Sequence, residues 1–134
     1  VLFRSDFAST PEVKCSPSQI NQVLVNLLNN AAQAMGEKPD GKIEVRTRAD
    51  DKNVYIEVSD NGKGMNPEVI DQIFEPFFTT KGAGEGTGLG MAISQQIMEQ
   101  HNGDIQAVST EGVGTTFTLT LPIDNDLTEQ NLAA

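Results

Sequence analysis

The stretch KGAGEGTGLGM, residues 81–91, sets glycine at every second position from Gly82 to Gly90 and then runs directly into a helical pattern. Each glycine costs about 0.5 to 1 kcal/mol relative to alanine in regular structure, so five in nine residues forfeit about 2.5 to 5 kcal/mol. A domain is stable by only about 5 to 15 kcal/mol in total. A loss of that size points to a use for the loop other than folding. Glycine-rich loops ahead of helices often cradle phosphates, because bare backbone can approach the anion and the helix start presents free N–H groups. A flexible linker has the same composition. The spacing fits neither G-x-G-x-x-G nor G-x-x-x-x-G-K-[ST], so the neighbouring segments have to decide.

Upstream, DNGKGM (residues 60–65) ends an alternating, strand-like run with a carboxylate, Asp60, followed by Gly62 and Gly64. A carboxylate at a buried strand end needs a partner, and the exocyclic amine of a purine would supply one. A turn capped by aspartate is the plainer alternative. Further upstream, Gln22, Asn26 and Asn30 recur every four residues and so line up beside the apolar stripe of a helix. They read either as a solvated face or, at Asn30, as an oxygen ligand for Mg2+, a hard cation that favours oxygen donors and substrate phosphates.

Composition narrows the classes. A chain of 134 residues is the size of one domain and can bury a two-layer core without disulfides or structural metal. The longest apolar runs fall well short of the roughly 20 residues that span a bilayer. The single cysteine, Cys15, cannot form an internal disulfide and has no metal-ligand spacing around it, which fits a reducing cytoplasm. A net charge of −10 repels phosphate backbones, so nucleic acid and anionic membrane surfaces are not expected partners. The first residue is not methionine and a secretory signal is not visible; the chain reads as a piece of something longer.

Periodicity supplies the elements. From Pro17 the spacing Ile20, Val23, Leu24, Leu27, Leu28, Ala31, Met35 predicts an amphipathic helix closed by Gly36. Ile43, Val45 and Thr47, then Val54, Ile56 and Val58, alternate with polar residues around a polar turn and predict a hairpin. Asn66 before Pro67 predicts an N-cap and a short helix over 67–74. A third helix is expected from near Gly88 to Asn102-Gly103, with Leu89, Ile93 and Ile97 on one face. Strands over 105–109 and 115–122 follow, and Pro11 separates two short β-like stretches near the start. The expected class is α+β, a two-layer sandwich with a mixed sheet covered on one face by about three helices. One domain over 1–123 and a frayed polar tail over 124–134 complete the reading.

These segments together resemble the catalytic ATP-binding domain of sensor histidine kinases, in the superfamily shared with DNA gyrase, the large heat-shock chaperones and the mismatch-repair ATPases. Four motifs stand in family order: NLLNNA (26–31), DNGKGM (60–65), FEPFFTT (74–80) and GTGLGM (86–91), with GVGTTFTLTLP closing the strand pair. The resemblance covers nearly all of residues 12–122 and looks most like the nitrogen-regulation type. It implies that Asp60 binds the adenine amino group, that Gly62 and Gly64 let the base approach, and that Thr115 lies near the base beside Asp60. It further implies that Asn30 holds Mg2+, that Thr87, Gly88, Leu89 and Gly90 give backbone donors to the phosphates, and that Gly82 to Gly86 form a mobile lid; Lys81 beside it reads either as a contact to the terminal phosphate or as a solvated lid lysine. Stabilisation by a helix terminus is only about 0.3 to 1 kcal/mol per charge, so Mg2+ has to offset most of the repulsion between a triphosphate and so acidic a domain.

Two departures bear on chemistry. Hydrolytic members of the superfamily carry a general-base glutamate four residues before the metal-binding asparagine; here that position is Asn26, placed at the nucleotide with no means of taking a proton at neutral pH. Transfer to another protein is therefore expected rather than hydrolysis. Gln33 and Ala34 replace the basic and aromatic residues that many histidine kinases carry there. The implied partners are a histidine-bearing dimerisation domain of the same parent protein and, downstream, a response regulator. The one histidine, His101 in HNGDI, reads as a structural helix stop rather than a phosphoacceptor. A serine kinase of the anti-sigma-factor type, or a module that binds nucleotide without chemistry, are the alternatives. The domain is expected in the cytoplasm, with any inner-membrane anchoring of its parent left open.

Overall fold

The computed structural model describes residues 2–7, 10–78 and 89–124. Helix α1 (Pro17–Met35) buries the stripe that the periodicity marks, Ile20, Val23, Leu27, Ala31 and Met35. Side chains of this kind each contribute about 1.5 to 3 kcal/mol when fully buried. Proline opens the helix at a position whose N–H would lack a partner in any case. Gly36 ends it at φ +53°, a backbone angle that L side chains rarely adopt.

Alternation does the same for the strands. The remaining elements are β1 (Leu2–Phe7), β2 (Lys42–Ala49), β3 (Asn53–Asp60), α2 (Pro67–Gln72), α3 (Gly90–Gln100), β4 (Asp104–Thr110) and β5 (Gly114–Pro122). They form one five-stranded sheet in the order β1-β2-β3-β5-β4. β1 runs parallel to β2 and every other pair is antiparallel, so the sheet is mixed. Ile43 and Val45, Val54 and Val58, Ile105, and Phe117, Leu119 and Leu121 point to one face and are buried there. α1 and α3 pack on each other and on that face to form a single core. The opposite face carries Arg46, Glu57, Thr116, Thr118 and Thr120 of the same strands. The expected two-layer α+β sandwich with helices on one face is what the chain forms.

Some boundaries differ from the sequence reading. α2 stops at Gln72, because Ile73 and Phe74 turn away to bury Ile73 in the core. α3 starts at Gly90 rather than near Gly88. Only one of the two β-like stretches beside Pro11 is a strand; Val13 and Cys15 on the other side of it pack against the core instead. The proposed lid, with Thr79, Lys81, Thr87 and Gly88, lies outside the described residues, as does the tail from 125. Among the described residues, no helix is long and apolar enough to cross a membrane.

Candidate functional site

Asp60 is the last residue of β3 and pairs in register with Thr115 near the start of β5, on the helix-covered face. Its carboxylate accepts the Gly62 N–H at 2.8 Å and also the Thr115 N–H. Those bonds favour the ionised form, but burial outweighs them and pushes the carboxyl above its ordinary value of 3.8. A half-buried carboxylate with that balance has acceptor capacity left over. An N–H donor arriving from a ligand would relieve its desolvation.

The chain around Asp60 is held by contacts that only glycine permits. A Cβ on Gly62 would stand 2.6 Å from the Ala34 carbonyl oxygen at the end of α1. Gly64, at φ +68°, would press a Cβ into the Thr110 carbonyl of β4. The structure thus gives both glycines a packing reason independent of any ligand. Asn61 fixes the other side of the turn: its Oδ1 accepts the Lys42 N–H at 2.7 Å and its Nδ2 donates to the Asp40 carbonyl at 2.9 Å. Lys38 Nζ donates to the Asn61 carbonyl at 2.7 Å. Ser109 on β4 ties in the far end, accepting the Met65 N–H at 2.8 Å and lying 2.7 Å from Thr115 Oγ1.

The amides on α1 behave differently from one another. Asn26 Nδ2 donates to the Gly90 carbonyl at 3.2 Å and to Ser94 Oγ at 3.1 Å, so its two N–H groups are spent on the first two turns of α3. Asn30, one turn further along the same face, is half-buried and its side chain has no hydrogen-bond partner among the described residues. Its oxygen is therefore open to a cation. Among the described residues no three His, Cys, Asp or Glu side chains cluster as a metal centre. An Mg2+ ion held through Asn30 would take its other ligands from phosphate oxygens and water, its usual habit. Gln22 is exposed.

At the start of α3 the first intrahelical bond runs from the Ile93 N–H to the Leu89 carbonyl at 2.9 Å, so the N–H groups of Gly90, Met91 and Ala92 have no partner within the helix. An anion is favoured there. Lys81, Thr87 and Gly88 lie outside the described residues. The sequence reading did not single out Asn61, Gly114 or Ser109. Gly114, at φ +151°, backs onto the Asp60 carbonyl, and its place one residue before Thr115 was the only local signal for it.

A family model described as "Histidine kinase-, DNA gyrase B-, and HSP90-like ATPase" matches residues 15–125. The chain belongs to that family. It is 48% identical over 114 residues to the sensor histidine kinase ZraS of Escherichia coli (strain K12), covering 85% of this chain and 24% of that protein. It is 40% identical over 133 residues to the sensory histidine kinase/phosphatase NtrB of Vibrio alginolyticus, covering 92% of this chain and 37% of that one. Among solved structures, the catalytic domain of histidine kinase ThkA superposes with a TM-score of 0.79 at 33% identity, over 91% of this chain and 80% of that domain. The chain thus spans about a quarter of the length of ZraS but most of an isolated histidine-kinase catalytic domain. Its fold and sequence are those of a sensor histidine kinase's ATP-binding catalytic domain.

Proposed function

We propose that this domain binds ATP with its adenine at Asp60 and Thr115 and its phosphates toward the start of α3, and donates the γ-phosphate to a histidine on a separate helical dimerisation domain of its parent. The observation that carries this reading is the Asp60 carboxylate: half-buried, shifted toward its neutral form, and still holding acceptor capacity in a turn of glycines whose shape is fixed by protein backbone. Asn30 would hold Mg2+, which when bound supplies charge neutralisation for the polyphosphate. Gly90, Met91 and Ala92, whose N–H groups have no partner within α3, would face the phosphates.

Asn26 supports transfer over hydrolysis. It occupies the place of a general base, yet it is an amide and both its N–H groups hold α3 against α1. The residue positions a phosphate-facing helix and activates no water. His101 has no exposed surface and both ring nitrogens are bonded within the domain, so the acceptor histidine has to come from elsewhere. A response regulator downstream and a cytoplasmic location follow from the same reading.

The test is incubation with γ-labelled ATP, alone and with the histidine-bearing dimerisation domain of its own parent. Acid-labile label on that domain, with neither label nor appreciable ATP turnover by this chain alone, is the expected result. Acid-stable label on a serine of a partner would support the anti-sigma-type reading, and fast hydrolysis by the chain alone would overturn the role given to Asn26.

A further inference from the structure

Resting on the reading that adenine sits at Asp60 and Thr115, we propose that Ser109 is a positioning residue that sets base specificity by fixing the direction of the Thr115 hydroxyl. A serine hydroxyl has one proton and two lone pairs. One lone pair of Ser109 Oγ takes the Met65 N–H at 2.8 Å. The proton goes to the Gly114 carbonyl at 3.0 Å, which can only accept. What remains facing Thr115 Oγ1, at 2.7 Å, is a lone pair. Thr115 therefore donates its own proton to Ser109 and keeps only lone pairs for anything else.

The consequence lies beside Asp60. Ser109, Thr115 and Asp60 stand side by side on adjacent strands, Ser109 opposite Thr115 and Thr115 opposite Asp60. An ionised carboxylate accepts and cannot donate. With the Thr115 proton locked away, both groups at the base site are acceptors. Together they suit a 6-amino purine and oppose a 6-oxo purine, which would set a carbonyl oxygen against them. A site built on fixed hydrogen-bond polarity discriminates more strongly than shape alone, because the wrong partner leaves buried polar groups unpaired. Without Ser109 the Thr115 hydroxyl can rotate and donate, and one of the two barriers to a 6-oxo base is gone.

The experiment compares the affinities of ATP and inosine triphosphate, which carries the 6-oxo base on the same ribose and triphosphate, for the unchanged chain, Ser109→Ala and Ser109→Thr. The ratio of the two affinities should favour ATP in the unchanged chain, fall at least about 5-fold in S109A, and recover in S109T, which restores the hydroxyl. Should S109A not fold, Ser109→Cys keeps the volume with a weak donor and should shift the ratio the same way by less. A parallel loss of both affinities with the ratio unchanged would make Ser109 purely structural and overturn the proposal. Failure of the unchanged chain to bind either nucleotide would instead remove the adenine reading itself, and this inference with it.

Discussion

Two polar clusters in this domain have opposite arithmetic. At the seam where α1 begins and α3 ends, His101 is fully buried and both ring nitrogens are used. Its Nδ1 donates to the Ile97 carbonyl at 2.8 Å, which leaves Nε2 to accept the Ser16 N–H at 3.0 Å, the residue that caps α1. Asn102, at φ +56°, and Gly103, whose N–H returns to the Met98 carbonyl at 2.9 Å, close the helix around it. At the end of β3, by contrast, Asp60 and Asn30 keep acceptor capacity that the described residues do not use. Buried polar groups in proteins are nearly always satisfied. The saturated cluster holds the architecture, and the unsaturated one is where the proposed function places the ligand.

That contrast can be broken most forcefully at His101. His101→Ala leaves a cavity, strands the Ser16 N–H and the Ile97 carbonyl, and should cost about 3 to 5 kcal/mol of folding stability, read from denaturant unfolding. Nucleotide affinity of the folded fraction should stay near normal. A stable variant that no longer binds ATP would reverse the roles assigned to the two clusters.

Asp60→Asn probes the other side. Losing a charge-assisted acceptor should weaken ATP binding by roughly 10- to 150-fold, equivalent to about 1.5 to 3 kcal/mol, while the melting temperature holds or rises. It should not fall, because the ionised carboxylate is held in the fold against its desolvation. Calorimetric titration together with a thermal melt separates the two effects, and undiminished affinity would take Asp60 out of the site.

A pH series sharpens the same point more gently. Because the Asp60 carboxyl lies above 3.8 in the fold, the native state binds the extra proton, and this group's contribution to stability falls as pH rises from 3.8 through the folded value. Base binding runs the other way. Affinity for adenosine, which lacks phosphates that would titrate, should fall as pH drops through that raised value, at higher pH than for an ordinary carboxylate. Loss of binding only below 3.8 would mean that burial does not govern this residue.

The smallest effect is expected at the β2–β3 turn, at the opposite end of β3 from Asp60. Exposed Asp50 accepts the Lys52 and Asn53 N–H groups at 2.9 and 2.8 Å and the Tyr55 hydroxyl at 2.7 Å, and these bonds lower its carboxyl to about 2. Its stabilisation is complete above 3.8 and lost as pH falls through about 2. Asp50→Asn should lower the melting temperature slightly at neutral pH and leave it unchanged in strong acid, with nucleotide affinity untouched.

The two clusters were not equally legible beforehand. Asp60 stands out in the chain only through its company, since a carboxylate before Gly62 and Gly64 reads equally as a turn cap, and its side chain does accept the Gly62 N–H. Asn26 and Asn30 are two amides one helical turn apart that the family resemblance assigns different roles, but that one is spent and the other open follows only from the arrival of α3, 64 residues away. Gly62 and Gly64 could be seen as necessary, but not why. The carbonyls of Ala34 and Thr110 that exclude a Cβ come from α1 and β4.

By itself the sequence determined the local matters: which residues form helices and strands, which face of each is apolar, where Gly36 and Pro17 stop and start a helix, and which motifs stand in order. These follow from periodicities of 3.6 and 2 and from backbone angles, properties of neighbouring residues. Only the tertiary structure decided which polar groups are spent and which are left open. A hydrogen bond between Asn26 and Ser94, or between Ser16 and His101 across 85 residues, depends on how α1 and α3 pack. Hydrogen bonds weaken steeply over tenths of an ångström and tens of degrees, a precision that the burial of the shared core supplies and that residue type alone does not encode.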